Sequence, residues 1–281
     1  MEIIVKCEDT LLNYLYSHLD MSKKKVKEYL KYGSIYVDGV KTTQFDYPLH
    51  VYSKIIIDTK SKNTSFLPFP ILYEDKNIIV IDKPSNILTV ATSKEKEKTV
   101  YHMVREYLQS HNKNAKVFIV HRLDKDTSGV LLFAKSEYIK NIYQADWNSI
   151  SKRNYVCVVH GIVKNDSEKL VHNLKENKTG LVYVSHDGAS AITNYQVINR
   201  SNHYSLLNIT IETGKKNQIR VQLKQINHPI VGDKKYGIKD SCKRLYLHAN
   251  KLTICNPIDK KIYTYESKIP QEFRKIIYND R

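Results

Sequence analysis

Residues 121–135 read HRLDKDTSGVLLFAK, and this stretch decides how the rest of the chain is read. An apolar run, Val117–Val120, leads into it, and a second, Val130–Ala134, follows it. Between them Asp124-Lys-Asp126-Thr-Ser-Gly129 is dense in turn formers, so the spacing predicts strand, turn, strand. Aspartate is unfavourable inside a strand, and local sequence alone lets Asp124 or Asp126 cap the turn through its own backbone. A carboxylate at 124 beside the cation Arg122 equally suits an acid held at the lip of a cleft. The residues by themselves leave both readings open.

Working outward, further strand-like runs fall at Asn77–Ile81, Tyr155–Val159 and Leu206–Ile211. Helical spacing joins Val100, Met103, Val104, Tyr107 and Leu108 behind a Thr99 cap, and Ile219, Leu223 and Ile226 further on. Many strands with few helices predict an α+β domain on a mixed or antiparallel sheet. Ser93–Lys98 reads as a short charged loop, and no internal repeat is visible.

The first sixty residues carry their own pattern. Leu11, Leu12, Leu15 and Leu19 recur at helical spacing after Glu8, Asp9 and Thr10. A second helix is predicted from Ser22, with Val26, Tyr29 and Leu30 on its apolar side and Gly33 ending it. Ser34–Val40 alternates and holds the hairpin signal Asp38-Gly39, and Ile55–Asp58 reads as a closing strand. The polar stretch TKSKNTS (59–65) marks a linker, giving a module over 1–60, a linker over 61–69 and a larger domain over 70–281.

A net charge of +16 points to a polyanionic partner, because each phosphate neutralised releases counterions. A lysine-rich proteome would produce the same surplus. Residues 1–60 hold nine Lys/Arg and eight Asp/Glu, leaving 36 and 21 for the rest. The small module is therefore near neutral, and only the cluster Lys23, Lys24, Lys25, Lys27 and Lys31 marks it for phosphate. An ordinary solvated lysine face is the simpler reading of that cluster. No run of about 18 apolar residues exists, so no membrane span is expected. The N-terminus lacks a secretory signal's apolar core, which predicts the cytoplasm. Cys7, Cys157, Cys242 and Cys255 form no metal or disulfide spacing, and no histidine pair reads as a metal motif. No metal and no cofactor are expected.

The HRLD-x-x-TSG-x-x-x-x-AK pattern resembles the signature of the RluA/RluD-type RNA pseudouridine synthases. Other segments extend the resemblance in the same order along the chain. They are Ile71–Ile87, ending the strand pair in Lys83-Pro; Arg153-Asn-Tyr155 through Gly161; Thr213–Leu223; His228–Asp233; and Arg244–Ala249. Residues 2–58 resemble the small RNA-binding fold of the ribosomal-protein S-four type, with Ser22-Lys23 where that fold often has Ser-Arg. Thr213–Leu223 (TGKKNQIRVQL) keeps Gln218 and Arg220 of the family's Thr-Gly-Arg-x-His-Gln-Ile-Arg-Val-His-Leu segment. Lys215, Asn217 and Gln222 replace an arginine and two histidines.

The resemblance implies an isomerase that breaks the uridine N1–C1′ bond and rebuilds the link at C5, a change needing no redox or metal partner. It makes Asp124 the catalytic carboxylate, as nucleophile or as base, with Arg220 holding its charge and Tyr155 against the target base. Arg122 would fill the stack vacated by a flipped nucleotide. Contacts to RNA are expected from Arg122, His121, Lys83, Gln218, Lys23, Lys24 and Lys27, although His121 also reads as a support for the loop. Asp233 reads as part of a Gly-Asp turn. Large-subunit ribosomal RNA is the expected substrate, with transfer RNA as the substrate rival. A catalytically silent RNA-binding or ribosome-assembly factor is the rival of another kind. No DNA partner is expected, and a monomer is.

Overall fold

The strand that follows the Asp124 turn, Ser128–Ala134, is buried along its whole length. That explains a continuous apolar run where a half-exposed strand would alternate. The computed structural model describes residues 1–31, 33–58, 67–91 and 99–280. Residues 61–66 of the expected linker and the charged loop over 93–98 lie outside the described residues.

Ser128–Ala134 pairs antiparallel with Ile78–Lys83 and, at its first two residues, parallel with Leu247–Cys255 (Ser128 opposite His248, Gly129 opposite Ala249). The parallel contact is very close. A Cβ on Gly129, where φ is +115°, would stand 2.1 Å from the Ala249 carbonyl oxygen, so glycine alone fits there. Among the described residues, eleven strands form the sheet. In spatial order the main path runs Val182–Val184, Ser167–Glu176, Ala189–Arg200, Tyr204–Ile211, Ser151–His160, Leu247–Cys255, Ser128–Ala134, Ile78–Lys83 and Ile71–Glu74. Ile262–Glu266 and Phe118–Ile119 add to Leu247–Cys255 and Ser128–Ala134. The domain is α+β on a mixed sheet.

Helices cover this sheet by burying single stripes. Glu137–Ala145, capped by Ser136 Oγ accepting from Ile139 N at 3.2 Å, sends Ile139 and Tyr143 against Val80, Val130 and Leu132. Gln271–Tyr278 buries Phe273 and Ile277 on Val156, Val158 and Leu206. Each such fully buried side chain contributes about 1.5–3 kcal/mol. In Gln218–Gln225 six consecutive residues, Gln218–Leu223, are buried, so this helix has no solvent face over its first turns.

Residues Met1–Leu67 with Arg105–Ala115 form one compact unit, and Pro68–Val104 with Lys116–Arg281 form the other. In the first, Glu2–Ile4, Lys54–Ile57, Ile35–Val37 and Val40–Thr42 make an antiparallel sheet in that order. Helices Leu11–His18 and Lys23–Lys31 bury Leu11, Tyr14, Leu15, Val26 and Leu30 together with Ile35, Ile55 and Ile57. Asp38 and Gly39 both have positive φ (51° and 81°), the conformation a tight two-residue hairpin needs. Lys23, Lys24, Lys25 and Lys27 are exposed, whereas Val26 and Leu30 of the same helix are buried.

Candidate active site

The Asp124 turn, strand Ser151–His160 and the start of helix Gln218–Gln225 surround a cavity of about 350 Å3. Arg122, Asp124, Arg153, Tyr155, Asn217, Arg220 and Leu247 are among the residues that line it. The turn is pinned through its backbone. Lys83 Nζ donates to the carbonyls of Pro84, Lys125 and Thr127 at 2.9, 3.0 and 2.7 Å. Ser85 Oγ donates to Asp126 O at 2.7 Å, and Thr89 Oγ1 donates to Leu123 O at 2.7 Å. With its backbone held on both sides, the turn presents the Asp124 side chain, 24% exposed, to the cavity.

Asp124 Oδ2 accepts from Asn217 Nδ2 at 2.5 Å and lies 3.5 Å from Arg220 NH1. Asn217 is itself fixed. Tyr236 Oη donates to its Oδ1 at 3.0 Å and accepts from Val182 N at 3.0 Å, which turns the amide nitrogen toward the carboxylate. Asn217 occupies the left-handed region (φ 53°), a conformation asparagine tolerates better than most residues.

Arg220 is buried and held from behind. Its Nε and NH2 donate to the two carboxylate oxygens of Asp233 at 2.8 and 2.7 Å, and its guanidinium lies 5.1 Å from the Tyr236 ring centre. Burial pushes the Asp233 carboxyl up, but the Arg220 hydrogen bonds and charge, with the backbone N–H groups of Tyr236 and Lys235, hold it below the usual range. Burial pulls on Arg220 too, and the carboxylates of Asp233, Asp124 and Asp126 more than offset it. The result is a cation locked in charge and direction beside Asp124.

Tyr155 lies in the cavity wall with its phenol pushed up to about 12 by burial; the Arg153 charge opposes that shift and Asp124 adds to it. A neutral phenol at physiological pH suits stacking and hydrogen bonding better than proton abstraction. Arg122 is exposed on the cavity rim.

Three expected RNA contacts are tied into the protein's own framework. Lys83 is fully buried, and its Nζ is spent on the turn's Lys125 and Thr127 carbonyls and on that of Pro84. Gln218 is also inside. Its Oε1 accepts from Thr213 Oγ1 and Lys215 N, and its Nε2 donates to Ile192 O and Thr193 Oγ1, so it braces the 213–217 turn. His121 stacks on Trp147 at 4.7 Å and accepts from Leu132 N through Nε2 at 3.1 Å. Burial and the Arg153 charge lower its pKa to about 3, so it stays neutral and supports the loop. Gln222, where the family pattern has a histidine, is likewise buried and bonded to Thr193, Leu170 and Ala191.

Sequence reasoning missed Asp233, Tyr236 and Arg153 as parts of this site. Asp233 does cap its own turn, accepting from Lys235 N and Tyr236 N, so the local reading was right and incomplete. Among the described residues no group of three His, Cys, Asp or Glu could hold a metal ion.

Such a cleft, an aspartate paired to a buried arginine beside a tyrosine, suits nucleophilic or acid–base chemistry on a bound group. Residues 77–225 match the family described as RNA pseudouridylate synthase. An RNA pseudouridine synthase of Mycoplasma genitalium, itself uncharacterised, is 30% identical over 287 residues, covering 96% of this chain and 92% of the relative. Ribosomal large subunit pseudouridine synthase C of Buchnera aphidicola is 32% identical over 223 residues (74% and 70% covered). Synthase D of Neisseria meningitidis is 27% identical over 280 residues (92% and 75%). The fold agrees with human RNA pseudouridylate synthase domain containing 4, at a TM-score of 0.63 and 21% identity over 74% of this chain and 91% of that one. The chain belongs to the RNA pseudouridylate synthase family, enzymes that isomerise uridine to pseudouridine in RNA.

Proposed function

We propose that the protein modifies large-subunit ribosomal RNA in the cytoplasm, with Asp124 as its reacting carboxylate. The observation that carries the role of Asp124 is its position, 3.5 Å from the buried Arg220 and facing a cavity walled by Tyr155. In this reading a uridine is extruded into the cavity at a cost of a few kcal/mol. Tyr155 stacks on its base, worth about 1–3 kcal/mol, while Arg122 fills the vacated stack. Asp124 then acts on the sugar or the base as the N1–C1′ bond breaks, and C5 takes the place of N1. The names of the Buchnera and Neisseria relatives support ribosomal RNA over transfer RNA.

RNA on either side of the target nucleotide would meet cations. A second cleft of about 410 Å3 shares Arg122, Asp124 and Arg220 with the first, and Lys125, Lys216, Lys234 and Lys235 also line it. The N-terminal module, read as S-four-like over 1–60, adds the exposed lysines 23, 24 and 27. An Asp124→Asn protein is expected to bind RNA normally and to make no pseudouridine in chemical mapping of cellular RNA. Retained activity would remove Asp124 from the mechanism. Loss of a pseudouridine in transfer RNA alone, on deleting the gene, would move the substrate.

A further inference from the structure

Arg153 carries a buried positive charge that, among the described residues, forms no ion pair with a carboxylate. It is 6% exposed and sits in the central strand Ser151–His160 two residues before Tyr155, so both side chains leave the same face. Its NH2 donates to Asn148 Oδ1 at 2.9 Å and to the Glu212 carbonyl at 3.0 Å, both neutral acceptors. Nε is buried without an acceptor, and NH1 has none among the described residues. NH1 faces Gly214, where a Cβ would come within 2.8 Å of it; Gly214 and Arg153 both line the cavity. Burying an unpaired charge costs several kcal/mol, so an apolar residue would be the more stable occupant unless the guanidinium meets something else.

The chemistry of the reaction says what that group must be. Uracil presents O2, N3–H and O4 along one edge, whereas cytosine carries an amino donor at position 4. A guanidinium has only donors, so it donates to uracil's carbonyls and opposes the cytosine amine. Moreover, when the N1–C1′ bond breaks and the C5–C1′ bond forms, C5 loses a proton and N1 gains one. The ring turns about its N3···C6 axis in the process. That rotation exchanges O2 and O4, so a donor facing one carbonyl before the reaction faces the other after it. We infer that Arg153 reads the carbonyl edge of the extruded base, selecting uridine over cytidine and holding the ring in both orientations. The inference rests on the proposed role of the Asp124 cleft as the place where the base enters.

The test uses the full-length protein and total RNA from a strain lacking the gene, in which mapping names the uridine that the added enzyme modifies. A hairpin around that position is then made with uridine or cytidine at the target. Binding is measured with Asp124→Asn protein, so that no turnover occurs. Arg153→Met added to it is expected to bind both hairpins alike, and Arg153→Met alone to lose about 10- to 100-fold in kcat/KM on uridine. Arg153→Lys, which keeps a cation and loses the planar fork, serves if the methionine variant does not fold, and it is expected to narrow the preference as well. A purely structural tie through Asn148 and Glu212 would lower the melting temperature and leave the preference intact. An unchanged uridine-over-cytidine preference in a folded Arg153 variant, with Asp124→Asn inactive, overturns this inference alone. An active Asp124→Asn protein removes the reading of the cleft and this inference together.

Discussion

Arg220 stands between two carboxylates, clasped by Asp233 at 2.7 and 2.8 Å and 3.5 Å from Asp124. The tighter partner lies behind it and has a fully buried side chain, so Asp233 fixes the plane of the guanidinium and leaves NH1 toward Asp124. A cation held this way cannot swing toward RNA phosphate when substrate arrives.

Asp233→Asn is therefore expected to harm both folding and activity. Breaking one side of a buried ion pair costs about 3–5 kcal/mol. The depressed carboxyl of Asp233 stabilises the fold fully above its unfolded pKa, near 3.9, and that contribution is lost as pH falls through the lower folded value. Urea denaturation between pH 3 and 7 should show wild type losing more stability on acidification than Asp233→Asn does. Parallel curves would contradict this.

Asn217 donates to the same Asp124 oxygen that faces Arg220. Asn217→Asp would set two carboxylates at hydrogen-bond distance, which cannot both ionise cheaply. The acid limb of the kcat/KM–pH profile should move to higher pH, with a loss of about 100-fold near neutrality. Tyr236→Phe, which frees the amide to rotate, should cost about 10-fold with no shift of that limb.

The strands around residues 121–135 were legible because burial on both faces leaves uninterrupted Val, Ile, Leu and Phe. The helices Leu11–His18 and Lys23–Lys31 and the hairpin at Asp38-Gly39 were legible through helical leucine spacing and the Asp-Gly turn. The ribbons Ser167–Glu176 and Ala189–Arg200 escaped notice, since the first mixes exposed charges with only Leu170 and Leu174 buried. In the site, pattern pointed to Asp124, Tyr155 and Arg220, which line one cavity, and read Lys83 and Gln218 as RNA contacts, whereas both side chains are buried. A polar residue next to a reactive loop looks the same in sequence whether it faces RNA or holds the loop. Only burial and bonded partners separate the two.

Lys83→Met should act as a loop mutation. Three backbone carbonyls lose their donor, and each unsatisfied buried group costs about 1–3 kcal/mol. Hydrogen exchange of the 123–128 amides should rise and activity fall, while RNA affinity and its salt slope stay close to wild type. A selective loss of salt-dependent affinity would restore Lys83 as a phosphate contact.

Changing Lys23, Lys24 and Lys27 together to glutamine should leave the fold intact, because all three are exposed. If each meets a phosphate of single-stranded RNA, the slope of log affinity against log salt should shrink by about 2. An unchanged slope would make them an ordinary solvated face.

The parallel contact of Ser128 and Gly129 with His248 and Ala249 bears on how the enzyme is born. Ser128 Oγ and His248 Nδ1, 120 positions apart in sequence, meet at 2.8 Å, and both Ser151–His160 and Ser128–Ala134 lean on the strand Leu247–Cys255. The acid and the strand behind it are thus far apart along the sequence. Asp124 therefore gains the wall behind it only once a contact of high sequence separation has formed, which makes closing the cleft a late and slow event in folding.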